Sequence, residues 1–277
     1  MTSSVVITGS TGFIGSALCK KLKERKEYSI VKVTRSKKHK SDYCQVSNYK
    51  NSPSGDILIH LGENSDRAIV NKLGDSYVDN SIDVIESLLE KKYEKIIYSS
   101  SSVVYGFKGN NPYGENKKIL GHDIYSKAKL ENEKRVLLSG GVVVRFSNVI
   151  GNGMSKNNVL SDILKQFPGN GPLNINNLKP IQDFIFLDDA VEALLCLIEK
   201  DLSGVFNIGS GVATSINSLI NEVLNLKNQK DREIISALIN SNYSYNALNI
   251  QHIKNVTGWH PKHTLTQSIK KIINNHE

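Results

Sequence analysis

The chain has 277 residues, 39% hydrophobic and 22% charged, with 35 Lys and Arg against 27 Asp and Glu for a formal charge of +8. That apolar content suffices for a packed core and excludes wholesale disorder, and no stretch reaches the roughly 20 consecutive apolar residues of a membrane span. The cysteines, Cys19, Cys44 and Cys196, are too few for a disulfide framework and lack metal-ligand spacing, so a reducing cytoplasm and no metal site are expected.

In chain order, the first strand is predicted over residues 5–8, so close to the start that no signal peptide is expected. It runs into Thr8-Gly9-Ser10-Thr11-Gly12-Phe13-Ile14-Gly15 and a helix over 13–26 that carries Ile14, Ala17, Leu18 and Leu22 on one side. In such a turn Gly9 takes the dihedral angles of the tight bend, Gly12 leaves the main chain open to a pyrophosphate, and Gly15 lets the helix pack close to the strand. The free N–H groups at the helix start then face the phosphates. A dinucleotide site built from Gly9, Thr11, Gly12, Phe13, Ile14 and Gly15 is therefore expected; the alternative is a turn that only reverses the chain.

A second strand over 29–34 ends in Val33-Thr34-Arg35-Ser36 with no carboxylate at the turn. A basic residue there accommodates a 2′-phosphate, so Arg35 favours NADP(H), with NAD(H) as the alternative cofactor. Arg35 belongs to a basic cluster with Lys37, Lys38 and Lys40, without interleaved aromatics. General surface basicity, or steering of an anionic substrate, fits that distribution better than nucleic-acid binding.

Strands over 56–60, 95–99 and 142–145 alternate with helices over 77–91 and 123–139. Such βα alternation with short connections implies an α/β fold with a doubly wound parallel sheet covered on both faces. Beyond Gly151 the texture turns loop-rich, with Gly169-Asn170-Gly171-Pro172, before a strand over 184–187 and a helix from Asp188, whose carboxylate is placed to cap it. A strand over 206–208 and helices over 215–226 and 265–273 follow. The expected division is a dinucleotide-binding domain over 1–150, with 177–205 returning to it, and a smaller C-terminal substrate-binding lobe from 151–176 and 206–277.

Two stretches carry chemistry. Ser99-Ser100-Ser101-Ser102-Val103-Val104-Tyr105-Gly106 ends a strand, and Tyr125-Ser126-Lys127-Ala128-Lys129 opens a helix. A tyrosine four residues before a lysine shares its helix face, and a cation there favours the ionised phenol, so the tyrosine can exchange a proton near neutral pH. Tyr113 and Lys117 have the same spacing but lie in a Pro/Gly/Asn-rich segment that does not favour helix, so Tyr125 is preferred.

These motifs, in this order, resemble the short-chain dehydrogenase/reductase superfamily in its extended branch of nucleotide-sugar epimerases, dehydratases and reductases. The likeness takes in Thr8 to Gly15, Asp56-Ile57-Leu58-Ile59-His60-Leu61-Gly62, Asn80, the serine turn, Tyr125 with Lys129, and Arg145-Phe146-Ser147-Asn148-Val149-Ile150-Gly151. It continues through Asp183-Phe184-Ile185-Phe186-Leu187-Asp188-Asp189, Phe206-Asn207-Ile208-Gly209-Ser210-Gly211 and Gly258-Trp259-His260-Pro261.

The resemblance implies a Rossmann fold in which Tyr125 moves the proton, Lys129 tunes it and binds the nicotinamide ribose, and Ser101 supplies the catalytic hydroxyl, with Ser100 and Ser102 as near rivals. Asn80 matches a position beside the active site, although an asparagine there also suits a helix cap. Leu61 and Gly62 would lie against the cofactor, and Ser102, Asn148 and Gln182 against the substrate. Gln182 replaces an arginine that often grips the nucleotide diphosphate, and Gln45 replaces an acid that contacts adenine. A homodimer through the helices over 77–91 and 123–139 is also implied, and with it a role in polysaccharide biosynthesis.

Ser102-Val103-Val104 offers no acid for water elimination, which sets the dehydratases aside. Arg35 and the short chain favour NADPH-dependent reduction of a nucleotide-linked 4-keto-6-deoxyhexose; a 4-epimerase with bound NAD is the alternative. A non-catalytic dinucleotide sensor or scaffold is a third, but such proteins tend to lose the serine, tyrosine and lysine that this chain retains.

Overall fold

The computed structural model describes residues 2–37, 42–238 and 243–274; Lys38 and Lys40 of the basic cluster lie outside them. The first half runs β1 (Ser3–Thr8), α1 (Phe13–Lys23), β2 (Tyr28–Thr34), β3 (Cys44–Gln45), β4 (Ile57–His60), α2 (Arg67–Leu73), α3 (Asp75–Leu89), β5 (Lys95–Ser101), α4 (Ile124–Leu138) and β6 (Val142–Phe146). There follow β7 (Asn148–Ile150), α5 (Val159–Leu164), β8 (Leu173–Ile175), β9 (Ile181–Gln182), β10 (Phe184–Phe186), α6 (Leu187–Glu199) and β11 (Gly204–Ile208). The chain closes with β12 (Thr214–Ser215), α7 (Ile216–Leu226), β13 (Ile234–Ser236), β14 (Tyr245–Asn246), α8 (Gln251–Thr257) and α9 (Leu265–Asn274).

Among the described residues, seven strands form one parallel sheet in the order β11-β6-β5-β4-β1-β2-β3. The period-two alternation of the strands decides which residues meet which helices. Val5, Ile7, Ile57, Ile59, Ile97, Val142 and Val144 point into one core with Leu18 and Leu22 of α1 and Leu194 and Leu197 of α6. Their neighbours Val6, Leu58, Ile96, Tyr98 and Val143 point to the other face, against Ile85 and Leu88 of α3 and Val136 of α4. Both faces are buried, which is why these strands read as continuous apolar runs.

A third core, from Leu160 and Ile163 of α5, Leu219, Ile220 and Val223 of α7, and Ile269 and Ile272 of α9, forms the smaller C-terminal lobe. Three short strand sets, β7 with β10, β9 with β12 and β14, and β8 with β13, join it to the sheet's C-terminal edge. Gly204–Ile208 differs from the expected division: it pairs in parallel with Val142–Phe146 and is the edge strand of the main sheet, not part of the lobe. Asp188 does not cap α6 either. The helix begins at Leu187, with Phe186 at the cap position and Asp188 in the first turn.

The start of α4 is fixed by Asp123. Its carboxylate accepts from the Ser126 N–H at 3.0 Å and from Asn71 Nδ2 at 2.8 Å, and it pairs with Arg67. Burial opposes the charge, but these hydrogen bonds outweigh it and hold the carboxyl well below its ordinary value. Asp123→Ala is expected to lose about 1 kcal/mol of stability at neutral pH. Because the folded value is depressed, that contribution is present above the ordinary aspartate range and fades as pH falls through the folded value. Thermal melts of both proteins across pH check it: the gap in Tm should close in strong acid.

Candidate active site

The glycine turn lies at the C-terminal end of β1. Gly9 has φ of +68°, in the left-handed region. Its carbonyl accepts from the Gly12 N–H at 2.9 Å, while Ser10 ties the turn to β2 through the Val33 carbonyl. A Cβ on Gly15 would lie 2.2 Å from the Gly9 carbonyl oxygen, so only glycine permits this approach of helix to strand. No side chain caps α1, which leaves its first-turn N–H groups for an external acceptor. The exposed Gly12 and uncapped helix start fit the pyrophosphate of a dinucleotide. Thr11 joins the turn to the end of β2 through Thr34 Oγ1 at 2.9 Å, and Phe13 and Ile14 are half-buried in the first turn.

A cavity of about 250 Å³ lies between the ends of β2 and β4 and helix α3, and Arg35, Tyr49, Gly62, Tyr77 and Asn80 are among its lining residues. Arg35 is exposed at the end of β2, with its guanidinium 4.7 Å from the centre of the Tyr49 ring. A Cβ on Gly62 would meet the same ring at 2.4 Å, so glycine keeps this wall flat. Asn80 is an exposed residue inside α3 and not its cap. Leu61 is half-buried at the end of β4, and its N–H donates to the Thr8 carbonyl. Gln45 is exposed on β3.

Tyr125 and Lys129 lie in the first half of α4, both largely buried, and the ammonium is 5.8 Å from the phenol ring. The backbone N–H of Tyr125 donates to Asn71 Oδ1 at 3.0 Å, which ties it to α2. Lys129 Nζ donates to the Ser99 carbonyl at 2.7 Å and lies 2.8 Å from a Glu63 carboxylate oxygen. Burial works against both charges. For Lys129 it is outweighed chiefly by Glu63, and for Glu63 chiefly by Lys129, so the lysine is pushed up, the glutamate down, and both stay ionised. Nothing in the sequence spacing pointed to Glu63, which follows a strand-ending glycine as a loop residue would.

Helix α4 also packs against β5 and the turn that follows it. There the three serines separate by partner. Ser100 is buried and donates to Glu133, which removes it as a rival to Ser101. Ser101 is half-buried at the strand end and accepts from the Val103 N–H at 3.3 Å, leaving its own proton for another acceptor. Ser102 is buried, with its carbonyl bound by Asn246 Nδ2 at 2.9 Å. Glu133 is the second functional neighbour that spacing did not reveal: it receives Arg145 Nε at 3.0 Å behind the serine turn.

On the lobe side, Asn148 is exposed at the start of β7, and both its N–H and its side-chain amide donate to the Asp183 carbonyl at 3.0 Å. Gln182 is half-buried on β9, paired with Thr214 of β12. Its neighbour Asp183 is fully buried, and burial pushes its carboxyl up, against hydrogen bonds from Ser210 and Gly211. Tyr113 is excluded from acid–base work by its surroundings: it is buried outside any helix, and its hydroxyl donates to the Tyr245 carbonyl at 2.9 Å.

This site can bind a dinucleotide along the glycine turn and present a tyrosine, a lysine and a serine hydroxyl at one end of the sheet. A family model described as the NAD dependent epimerase/dehydratase family matches residues 5–209. The chain is 26% identical to dTDP-4-dehydro-6-deoxyglucose reductase of Escherichia coli, over 98% of this chain and 96% of that one. It is 28% identical to ADP-L-glycero-D-manno-heptose-6-epimerase of Cupriavidus pinatubonensis, over 80% and 77%. In fold it is similar to UDP-glucose 4-epimerase of Thermotoga maritima solved with UDP-glucose, with a TM-score of 0.83 at 22% identity over 99% of this chain and 98% of that one. RMD of Pseudomonas aeruginosa, solved with NADPH, superposes with a TM-score of 0.84 at 21% identity over 99% and 98%.

Proposed function

The chain belongs to the NAD dependent epimerase/dehydratase family, and on that premise we propose that it inverts a carbinol centre, C4, of a nucleotide-activated hexose. That it is an NAD(P)-dependent enzyme follows from the family. The observation that carries the proton and hydride chemistry is the buried Tyr125–Lys129 pair on α4, packed against the strand end that bears Ser101, an arrangement that serves inversion and reduction alike. Epimerases recur among the relatives, and this recurrence favours inversion over the net reduction suggested by Arg35 and chain length.

In this mechanism Tyr125 takes the proton of the sugar hydroxyl as the carbinol is oxidised to a ketone, and Ser101 donates a hydrogen bond to the same oxygen. The nicotinamide, when bound, supplies the hydride acceptor and donor. After the keto sugar turns its other face, Tyr125 returns the proton. Lys129 holds the phenol's surroundings positive and is assigned to the nicotinamide ribose, with Leu61 and Gly62 assigned to the cofactor and Asn80 to the reacting centre. Ser102, Asn148 and Gln182 are assigned to the substrate. Gln182 brings hydrogen bonds but no charge to the diphosphate. A homodimer through α3 and α4, which pack side by side, completes the proposal and is checked by light scattering.

A second reading, reduction of a 4-keto-6-deoxyhexose with NADPH, is favoured by one observation: Arg35 stands at the rim of the cavity, stacked on Tyr49, where a 2′-phosphate would be met. Under it, Arg35→Ala weakens NADPH binding by about tenfold or more, the worth of one charge-assisted contact, with NADH little changed. Fluorescence titration with both cofactors checks this, and an unchanged NADPH to NADH ratio removes the support.

One panel separates the readings. Nucleotide hexoses are incubated with NAD and followed by proton NMR, beside nucleotide 4-keto-6-deoxyhexoses with NADPH followed by nicotinamide absorbance. Interconversion of intact sugars without net change in cofactor supports the epimerase. Stoichiometric NADPH oxidation with keto sugars alone supports the reductase, and inertness toward every nucleotide sugar overturns both.

A further inference from the structure

Glu63 places a largely buried carboxylate against Lys129 that the chemistry above does not use. It follows Gly62 in the loop after β4, and three polar groups from two other elements, β5 and α4, converge on it. Lys129 Nζ lies 2.8 Å from Oε2, Tyr98 Oη donates at 3.0 Å, and Asn132 Nδ2 donates to Oε1 at 2.8 Å. The Ser99 carbonyl takes a second Lys129 proton at 2.7 Å, so the ammonium is held from two sides.

Other groups near the pair do not duplicate this carboxylate. His60 on β4 binds Thr8 Oγ1 through Nδ1 at 2.8 Å, lies 3.9 Å from Glu63, and is pushed down to about 4 by burial, so it is neutral. Tyr77 on α3 is pushed up to about 12 by burial, and Tyr98 on β5 is raised for the same reason, so both stay neutral. Glu133 on α4 is bound by Arg145, and Arg35 lies at the end of β2 over Tyr49. Glu63 is thus the anion in direct contact with Lys129.

We propose that Glu63 is a positioning residue: it fixes the ammonium of Lys129 and, by opposing its charge, sets the pH at which Tyr125 takes a proton. This rests on Tyr125 as the proton acceptor. An ammonium beside a phenol favours its ionised form, and a carboxylate on that ammonium cancels part of the effect. Removing the negative charge while keeping the shape leaves the ammonium uncompensated. The working tyrosine then ionises at lower pH, provided Lys129 stays protonated, which is itself part of what the test reads. A brace with only a structural role would alter stability and leave the pH dependence in place.

The test compares wild type with Glu63→Gln and Glu63→Asp. In the oxidation direction, the acid limb of the kcat/KM profile should move to lower pH by about one unit in Glu63→Gln and stay near the wild-type position in Glu63→Asp. A second readout needs neither cofactor nor turnover. Phenolate absorbance is titrated in each protein and in its Tyr125→Phe counterpart, and the difference isolates Tyr125. It should move in the same direction. If Glu63→Gln does not fold, Glu63→Ala is titrated with the same expectation. An unmoved limb, or one moved to higher pH, in a protein whose Tyr125→Phe counterpart is inactive overturns the role of Glu63. Full activity in Tyr125→Phe overturns the reading of Tyr125 instead, so the two failures are distinguishable.

Discussion

Tyr125→Phe is expected to lower kcat by about 10²–10⁴-fold, the contribution of a positioned proton donor and acceptor. Cofactor affinity should be essentially unchanged. The ring is 7% exposed, and phenylalanine keeps its packing. What is lost is the hydroxyl, since the backbone N–H bond to Asn71 that orients this turn of α4 does not depend on it. Steady-state kinetics beside a fluorescence titration of the cofactor separates the two effects. A variant that binds and turns over normally would show that the proton moves through another group.

Glu133→Ala is expected to be the most destabilising of the substitutions considered. Glu133 is 2% exposed and Arg145 is 5% exposed, and the two share hydrogen bonds through Nε and Nη2. Arg145 also lies 4.8 Å from the Tyr105 ring, and Ser100 donates to the same carboxylate. Removing the glutamate strands a guanidinium in the interior, which costs about 3–5 kcal/mol. For a chain of this size, Tm should fall by on the order of 10 °C. The damage reaches the site because Ser101 is the next residue after Ser100. Calorimetry checks the magnitude; a loss below about 1 kcal/mol would mean that the charge is relieved by water or rearrangement.

The parts of this molecule written in local sequence were legible. Gly9, Gly12 and Gly15 declare a turn because backbone geometry alone demands them, and Tyr125 and Lys129 declare a shared helix face because the spacing is helical. The parts that depend on distant pairing were not. Gly204–Ile208 looks like any short strand until it meets Val142–Phe146 at the sheet edge.

Helix α2 escaped for a different reason: only Val70 is buried, Ile69 and Leu73 are exposed, and no apolar period marks it. It is held by the Asp66 cap and by Asn71 and Arg67 reaching Asp123. Glu63 and Glu133 escaped because a charged residue reads as solvated unless its partner is known. Both partners, Lys129 and Arg145, lie on other elements.

In the proposed mechanism, hydride passes between a sugar carbon and the nicotinamide while Tyr125 moves the proton. Its most direct test uses the nucleotide hexose found active in the panel, deuterated at its C4 carbinol, with the enzyme quenched during turnover and the released cofactor weighed by mass spectrometry. This mechanism predicts reduced nicotinamide carrying one deuterium, and almost none in Tyr125→Phe. Turnover of the labelled sugar with cofactor that never acquires the label would contradict it.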